Sequence, residues 1–217
     1  MPAGLYELMS TQRSIRRLKP DPIPDDVLGR IMQAAAWAPS GGNLQPWRMI
    51  VVQDAERKAR LGELYRRRWA RFANGYRQRF ADAEASVKAQ EERTLAAGDH
   101  LGEHFGTCPV ILVVCFDPTQ MAVTDARLDR VSVVGGGSIY PAVQNLLLAC
   151  RAEGVGCVLT TLLCQDETEV KALLDIPEGW YTAAAIPLGY PVGGGYGPIR
   201  RREVADLFFR DAWQRPL

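Results

Sequence analysis

The sequence predicts an α+β fold, one central sheet of four or five strands with helices packed on it. Three observations carry that prediction. The run Pro109 to Phe116 (PVILVVCF) is apolar at every position, the pattern of a strand buried on both faces. The segment Ile139 to Arg151 is apolar nearly all round, as a central helix should be. Helical and extended stretches alternate along the chain, with more helix than strand.

Taken in order, Leu5 to Met9 reads as a short helix. Asp25 to Ala36 reads as a stronger one, because its acidic pair stands where the helix dipole favours negative charge. Pro39 ends it, and the small polar loop Ser40-Gly41-Gly42-Asn43 follows. Trp47 to Gln53 (WRMIVVQ) has the apolar and β-branched content of a strand. A long polar helical region is expected from Ala55 to Phe105. After the Pro109 strand, Gly135 to Ser138 introduces the apolar helix. Val155 to Leu163 is expected as another strand. Asp166 to Leu174 is expected as a short helix, with Asp166 as its cap and Glu169 three positions on. Tyr181 to Gly189 (YTAAAIPLG) is the last strand, before a Gly/Pro loop and a charged tail. Residues 1–217 read as one domain with a helical insert at about 57–106; no repeat or interdomain linker is visible.

The 217 residues carry 26 Lys plus Arg against 25 Asp plus Glu, with 47% hydrophobic content. These values exclude disordered, collagenous and disulfide-scaffold classes. The near-zero balance argues against a dedicated nucleic-acid or membrane-surface protein. No apolar stretch approaches the roughly 20 residues of a spanning helix. The opening MPAGLYELMSTQRS lacks a basic start followed by an apolar run, so no signal peptide is expected. The five cysteines are odd in number and form no C-x-x-C pair, which fits reduced thiols and a cytoplasmic location.

Charge is uneven in the insert. Arg57 to Arg79 holds nine basic residues against Glu63 alone, and Phe80 to Gly106 holds six acids against two bases. The simplest reading is two helical arms that attract each other and face water. The alternative is steering of an anionic, phosphate-bearing ligand. No aromatic stacking pattern or reader motif supports nucleic acid.

Three clusters carry candidate chemistry. Arg13, Ser14 and Arg16 near the start and Arg200 and Arg202 near the end offer guanidinium groups, which match phosphate oxygens in bidentate fashion. Between them, Pro39, Ser40, Gly41 and Asn43 form a turn with backbone N–H groups and an amide, suited to the edge of a planar heterocycle.

Their order and wording, R-S-I-R-R-L and then A-P-S-x-x-N-x-Q-P-W before a strand, resemble the nitroreductase family of FMN-dependent oxidoreductases. The resemblance continues through Pro109 to Cys115, Pro141 to Ala149, Gly154-Val155-Gly156, Ile186 to Pro191 and the late Arg cluster; the insert alone falls outside it. It implies a mostly antiparallel sheet and a homodimer with FMN at the subunit interface; the tail Val204 to Trp213, apolar but with too little chain around it to bury it, is expected to wrap on the partner. It also implies NADH or NADPH as donor and small aromatic acceptors such as nitroaromatics or quinones. By that resemblance Arg13, Ser14 and Arg16 hold FMN, with Arg16 by the N1–C2 edge of the flavin. Pro39, Ser40, Gly41 and Asn43 reach the flavin of the other subunit. Leu159, Thr160 and Thr161 lie against the ring near N5 and O4. Arg200 and Arg202 share the phosphate, the more so because Gln12 stands where the family commonly has Arg. Hydride would pass from the nicotinamide to flavin N5 and the acceptor would then take its place, in ping-pong order. The cofactor carries that chemistry, so no catalytic side chain is nominated.

Some alternatives fit the same residues. Leu159 to Leu162 (LTTL) replaces the Pro-x-Glu-Gly of some relatives, which opens the substrate class to dehalogenation, flavin fragmentation or dehydrogenation. The Gln12 departure admits a flavin-storage protein without turnover. A deazaflavin fits the same positions. His100-Leu101-Gly102-Glu103-His104 matches H-x-x-E-H, a zinc-hydrolase pattern. It lacks an identified third ligand, and Gly98 and Gly102 weaken its helix, so no metal is expected.

Overall fold

The computed structural model describes residues 4–217. Four strands, β1 (Trp47–Val52), β2 (Val110–Phe116), β3 (Gly156–Cys157) and β4 (Tyr181–Gly189), form one antiparallel sheet in the order β1-β2-β4-β3. Among the described residues there are seven helices, α1 (Leu5–Thr11), α2 (Asp25–Ala36), α3 (Ala55–Arg79), α4 (Ala85–His104), α5 (Tyr140–Ala152), α6 (Glu167–Leu173) and α7 (Val204–Leu207), the last of them exposed throughout.

The uniform apolarity of β2 has a simple cause. Successive side chains of a strand point to opposite faces. Val110, Leu112 and Val114 enter a core shared with α2 and α5, where Leu28, Ile31, Val143 and Leu146 meet them. Ile111, Val113 and Cys115 enter a second core under α3 and α4, with Leu61, Leu64, Leu101 and Phe105. Each fully buried side chain of this size contributes about 1.5–3 kcal/mol. The helix predicted from apolar content, α5, indeed packs centrally, on α2 and the sheet.

The expected strand Val155 to Leu163 is shorter in the structure. It pairs at Gly156 and Cys157, lapses, and returns as a single bridge between Thr160 and Ala185. In that register Val158 would face Pro187. Proline has no N–H, so the bond that would continue the ladder cannot form. The residues beyond Thr161 turn into a 3-10 segment, Leu162–Asp166.

Two other expectations change in detail. The polar region Ala55 to Phe105 breaks at residues 80–84 into α3 and α4. Asp54 caps α3 by accepting from Arg57 N–H at 2.8 Å, a contact worth about 1 kcal/mol. Asp166 precedes α6 but makes no side-chain cap bond. Its carboxylate instead accepts from Arg68 Nε and Arg67 Nη2, at 2.8 and 2.9 Å, and binds α3 to the turn after β3.

The glycines of α4 also gain a reason. A Cβ on Gly98 would stand 2.1 Å from the Trp69 ring, and one on Gly102 2.7 Å from it. They form a slot for the indole, whose Nε1–H donates to Asp99 Oδ1 at 2.8 Å. Arg77 adds an ion pair to Asp99 at 2.6 Å, so the two arms do attract each other. Among the described residues, no helix is long and apolar enough to cross a membrane.

Candidate functional site

An extended arm, residues 12–19, lies against the β3–β4 edge. Ile15 N–H donates to Cys157 O at 2.9 Å and Lys19 N–H to Tyr190 O at 2.7 Å. Two facing glycines make room for it. Gly156 pairs with Gly189, and a Cβ on Gly156 would stand 2.7 Å from Leu18 Cδ2 and 2.9 Å from Ile15 Cγ2. Extended geometry sends Ile15 inward, where it is buried, and leaves Arg13 and Ser14 exposed with Arg16 half-buried.

The late arginine segment returns to the same place. Ile199 N–H donates to Ser10 O at 3.2 Å, which sets exposed Arg200 and Arg202 beside the junction of α1 and the arm. The structure therefore sets the arm and the late arginine segment side by side, although they lie nearly 190 residues apart in sequence. Among the described residues, none of Arg13, Arg16, Arg200 and Arg202 forms an ion pair. Burial lowers the pKa of Arg16; Tyr65 nearby opposes that shift, and the like charge of Arg13 adds to it. A half-buried cation without a carboxylate is poised for an anion from outside the chain.

Thr160 is buried and doubly tied to Ala185, accepting and donating backbone bonds of 2.8 and 2.9 Å. Leu159 is half-buried and Thr161 exposed. Burial raises the pKa of Tyr65 on α3, and Thr160 and Arg16 oppose that shift. The motifs do not mark Tyr65, since it lies in the insert. Its one available signal was the apolar spacing it shares with Leu61 and Leu64.

Thr161 opens onto a pocket of about 650 Å³, also lined by Phe116, Met121, Tyr140, Cys164 and Thr182. No charged side chain lines it. Its volume suits a small ligand. Burial raises the pKa of Cys164, so that thiol stays protonated at neutral pH.

Pro39, Ser40, Gly41 and Asn43 are not brought to the arginines. Gly41 N–H donates to Ser138 Oγ at 3.0 Å, just ahead of α5, whereas Thr11 accepts from Arg151 Nε at 2.9 Å near the other end of α5. That helix has 13 residues, so it separates the two groups by about 20 Å. The loop is tightly wound: Gly42, Asn43 and Gln45 all have positive φ (58°, 54° and 49°), and Ser40 Oγ accepts from Gln45 N–H at 3.0 Å. Pro39, Gly41 and Asn43 are exposed.

The two histidines stack at 4.1 Å between centroids, and His104 Nδ1 lies 2.8 Å from the His100 carbonyl. Burial lowers the pKa of His100, with His104 and Arg17 adding to the shift. Among the described residues, no group of three or more His, Cys, Asp or Glu side chains is placed to hold a metal. All five cysteines are free, and burial pushes Cys108 up to about 12 and Cys115 up to about 11.

Comparison with known proteins gives the family and the fold. The sequence model of the Nitroreductase family matches residues 9–190. An NADH dehydrogenase of Thermus thermophilus is 34% identical over 187 residues, 85% of this chain and 85% of that protein. A 5,6-dimethylbenzimidazole synthase of Rhodospirillum rubrum is 30% identical over 194 residues, 87% and 82% of the two chains. The solved structure of an oxidized iodotyrosine deiodinase bound to FMN and 3-iodo-L-tyrosine shares the fold, with a TM-score of 0.72 at 24% identity over 96% of this chain and 99% of that one.

Proposed function

Because the chain belongs to the nitroreductase family, we propose that it is an FMN-dependent oxidoreductase that passes electrons from NAD(P)H to small, uncharged aromatic acceptors such as quinones or nitroaromatics. The observation that carries this reading is the half-buried Arg16, without an ion pair, at the head of a cluster of equally uncompensated arginines.

The residues fit the cofactor. Arg13, Ser14, Arg200 and Arg202 hold the phosphate, through guanidinium forks and a hydroxyl. Arg16 presents fixed positive charge to the flavin edge where reduction places negative charge, and so favours the reduced form. Leu159, Thr160 and Thr161 lie along the ring, with Thr160 held rigid by Ala185. Bound there, FMN supplies a two-electron relay between nicotinamide and acceptor. The neutral, mostly apolar lining of the pocket beside Thr161 suits an apolar ring.

Two copies are part of the proposal. The 39–43 loop and the arginines stand at opposite ends of α5, too far apart to grip one flavin edge within a protomer. A twofold partner lets each loop reach the other subunit's flavin. Tyr6, Trp37, Val131 and Trp213 are 75 to 86% exposed, the kind of apolar surface that marks an interface. The tail from Val204 to Trp213 is part of that surface and would wrap on the partner.

The related synthase and deiodinase show that this fold serves other chemistry. The neutral lining beside Thr161 disfavours a zwitterionic amino-acid substrate, which needs charged partners. The test is anaerobic mixing of the purified yellow protein with NADH or NADPH, followed by 1,4-benzoquinone. Bleaching by the nucleotide and recovery of colour on quinone addition are expected. A folded protein that is colourless and takes up no added FMN overturns the reading. One that binds FMN but is not bleached is a flavin store.

A further inference from the structure

We propose that Tyr196 is a positioning residue of the flavin site, an anchor that holds the loop returning from β4 against the arm so that Arg200 and Arg202 stand where the phosphate arrives. This rests on the reading of the site as an FMN site. The described residues between β4 and α7 form no helix and no strand. Gly193, Gly194, Gly195 and Gly197 surround Tyr196 there. Such a stretch is a flexible linker unless contacts pin it.

The contacts converge on one ring. The Tyr196 hydroxyl donates to the Val155 carbonyl, just ahead of Gly156 in β3. The Arg151 guanidinium lies over the face of the ring, with Cζ 4.8 Å from the centroid, where the π-system attracts a cation. Arg151 belongs to α5. Its Nε donates to Thr11 Oγ1 at the end of α1 at 2.9 Å, and its Nη2 stands 3.8 Å from the Glu7 carboxylate of the same helix. Three elements that frame the arm, α1, α5 and β3, are thereby tied to one tyrosine. Arg151 is occupied by these partners and acts as their clamp. On one side of Tyr196, Gly195 turns at a φ of 62°, and a Cβ there would stand 2.5 Å from Pro191 Cβ. On the other, Ile199 N–H reaches Ser10 O at 3.2 Å, and Arg200 is the next residue.

The anchor adds little to the core, since Gly193, Gly194 and Pro198 are exposed and Tyr196 is only half-buried. What it changes is the freedom of the arginines. Untethered, they would lose the freedom of a glycine-rich loop on binding; tethered, that ordering is complete beforehand, and the gain falls on the phosphate alone.

Riboflavin separates this role from a structural one, because it has the flavin ring without the phosphate. The apoprotein is titrated with FMN and with riboflavin by flavin fluorescence. Tyr196→Ala is expected to bind FMN about tenfold more weakly and riboflavin as the wild type does. Tyr196→Phe keeps the ring under Arg151 and should lose about threefold for FMN alone. In an Arg200→Ala, Arg202→Ala background, Tyr196→Phe should lose no further FMN affinity, because the loop then has no guanidinium to place. Circular dichroism reports whether each variant is folded; if Tyr196→Ala is not, Tyr196→Phe decides. If riboflavin binds too weakly to titrate, the arginine-less background decides. An unchanged FMN affinity in folded Tyr196→Phe, an equal loss for both ligands, or the same loss without the two arginines overturns the role of Tyr196 and leaves the flavin reading intact. Failure of the wild type to take up FMN overturns both.

Discussion

Replacing Gly156 by alanine tests whether the arm is what the flavin grips. An ideal Cβ at this position falls 2.7 Å from Leu18 Cδ2, 2.9 Å from Ile15 Cγ2 and 3.1 Å from Gly189 O. Carbon atoms pack best at about 3.5–4.0 Å, so the arm must retreat by about 1 Å. The Gly189 carbonyl belongs to β4 and blocks relief on the other side. Overpacking of this kind costs about 1–3 kcal/mol. The Ile15–Cys157 backbone bond, 2.9 Å long, is stretched as well, which adds about 1 kcal/mol. The sum, about 2–4 kcal/mol, lowers the Tm of a chain this size by roughly 5–15 °C. Because Arg13, Ser14 and Arg16 ride on the arm, FMN affinity should fall about tenfold, equivalent to about 1.4 kcal/mol of lost contact. Circular dichroism melting of the apoprotein and a fluorescence titration with FMN read the two effects. Gly29→Ala is the control: in the middle of α2, its Cβ would meet nothing within 4 Å beyond the adjoining helix backbone, so it should raise stability by about 0.5–1 kcal/mol. A Gly156→Ala protein with wild-type melting and wild-type affinity would refute the packing. One that melts early yet binds FMN normally would refute the assignment of the arm as ligand.

Two further outcomes follow from the packing of the insert. Gly98→Ala should destabilise by about 1–3 kcal/mol despite a helix-propensity gain of about 1 kcal/mol, because its Cβ evicts the Trp69 indole; in a Trp69→Ala background the same change should raise the Tm, and a loss in both backgrounds sinks the explanation. Arg68 and Arg67 hold the Asp166 carboxyl below its ordinary range. A depressed folded pKa adds stability above the unfolded value of about 3.9 and loses it as pH falls through the folded one. Acid unfolding of Asp166→Asn should therefore depend less steeply on pH below about 4 than that of the wild type, and parallel curves would contradict the pairing.

The parts of this molecule that were legible from sequence are those where local chemistry has one solution. A strand apolar at every position must be central, and β2 is. The arginine clusters at both ends were legible as candidate anion ligands, and the backbone bond from Ile199 to Ser10 sets their two segments side by side. Other parts depend on a partner elsewhere in the chain. The strand after Val155 lapses because of Pro187, thirty residues on, which no window around Val158 contains. Asp166 looked like a cap because a cap is a local motif; its actual partners lie on α3.

The basic run of α3 shows why a charge count needs geometry before it means anything. Of its nine cations, Arg57 pairs with Asp175, Arg60 with Glu63, Arg67 and Arg68 with Asp166, and Arg77 with Asp99. Lys58 donates to the carbonyls of Cys108 and Pro109 at 2.9 and 3.0 Å. Only Arg66, Arg71 and Arg79 are left without such a partner among the described residues. The helix that looked most basic therefore spends its charge in fastening the insert to the rest of the fold. The shorter clusters at the chain ends hold fewer cations, and none of the four is paired. With a net charge of only +1 on the whole chain, local compensation matters more than the count: three of the nine cations of α3 lack a partner, against all four of Arg13, Arg16, Arg200 and Arg202. On the proposed reading a nucleotide phosphate goes to the arm and the returning tail, and most of the charge of the insert is taken up by its own partners.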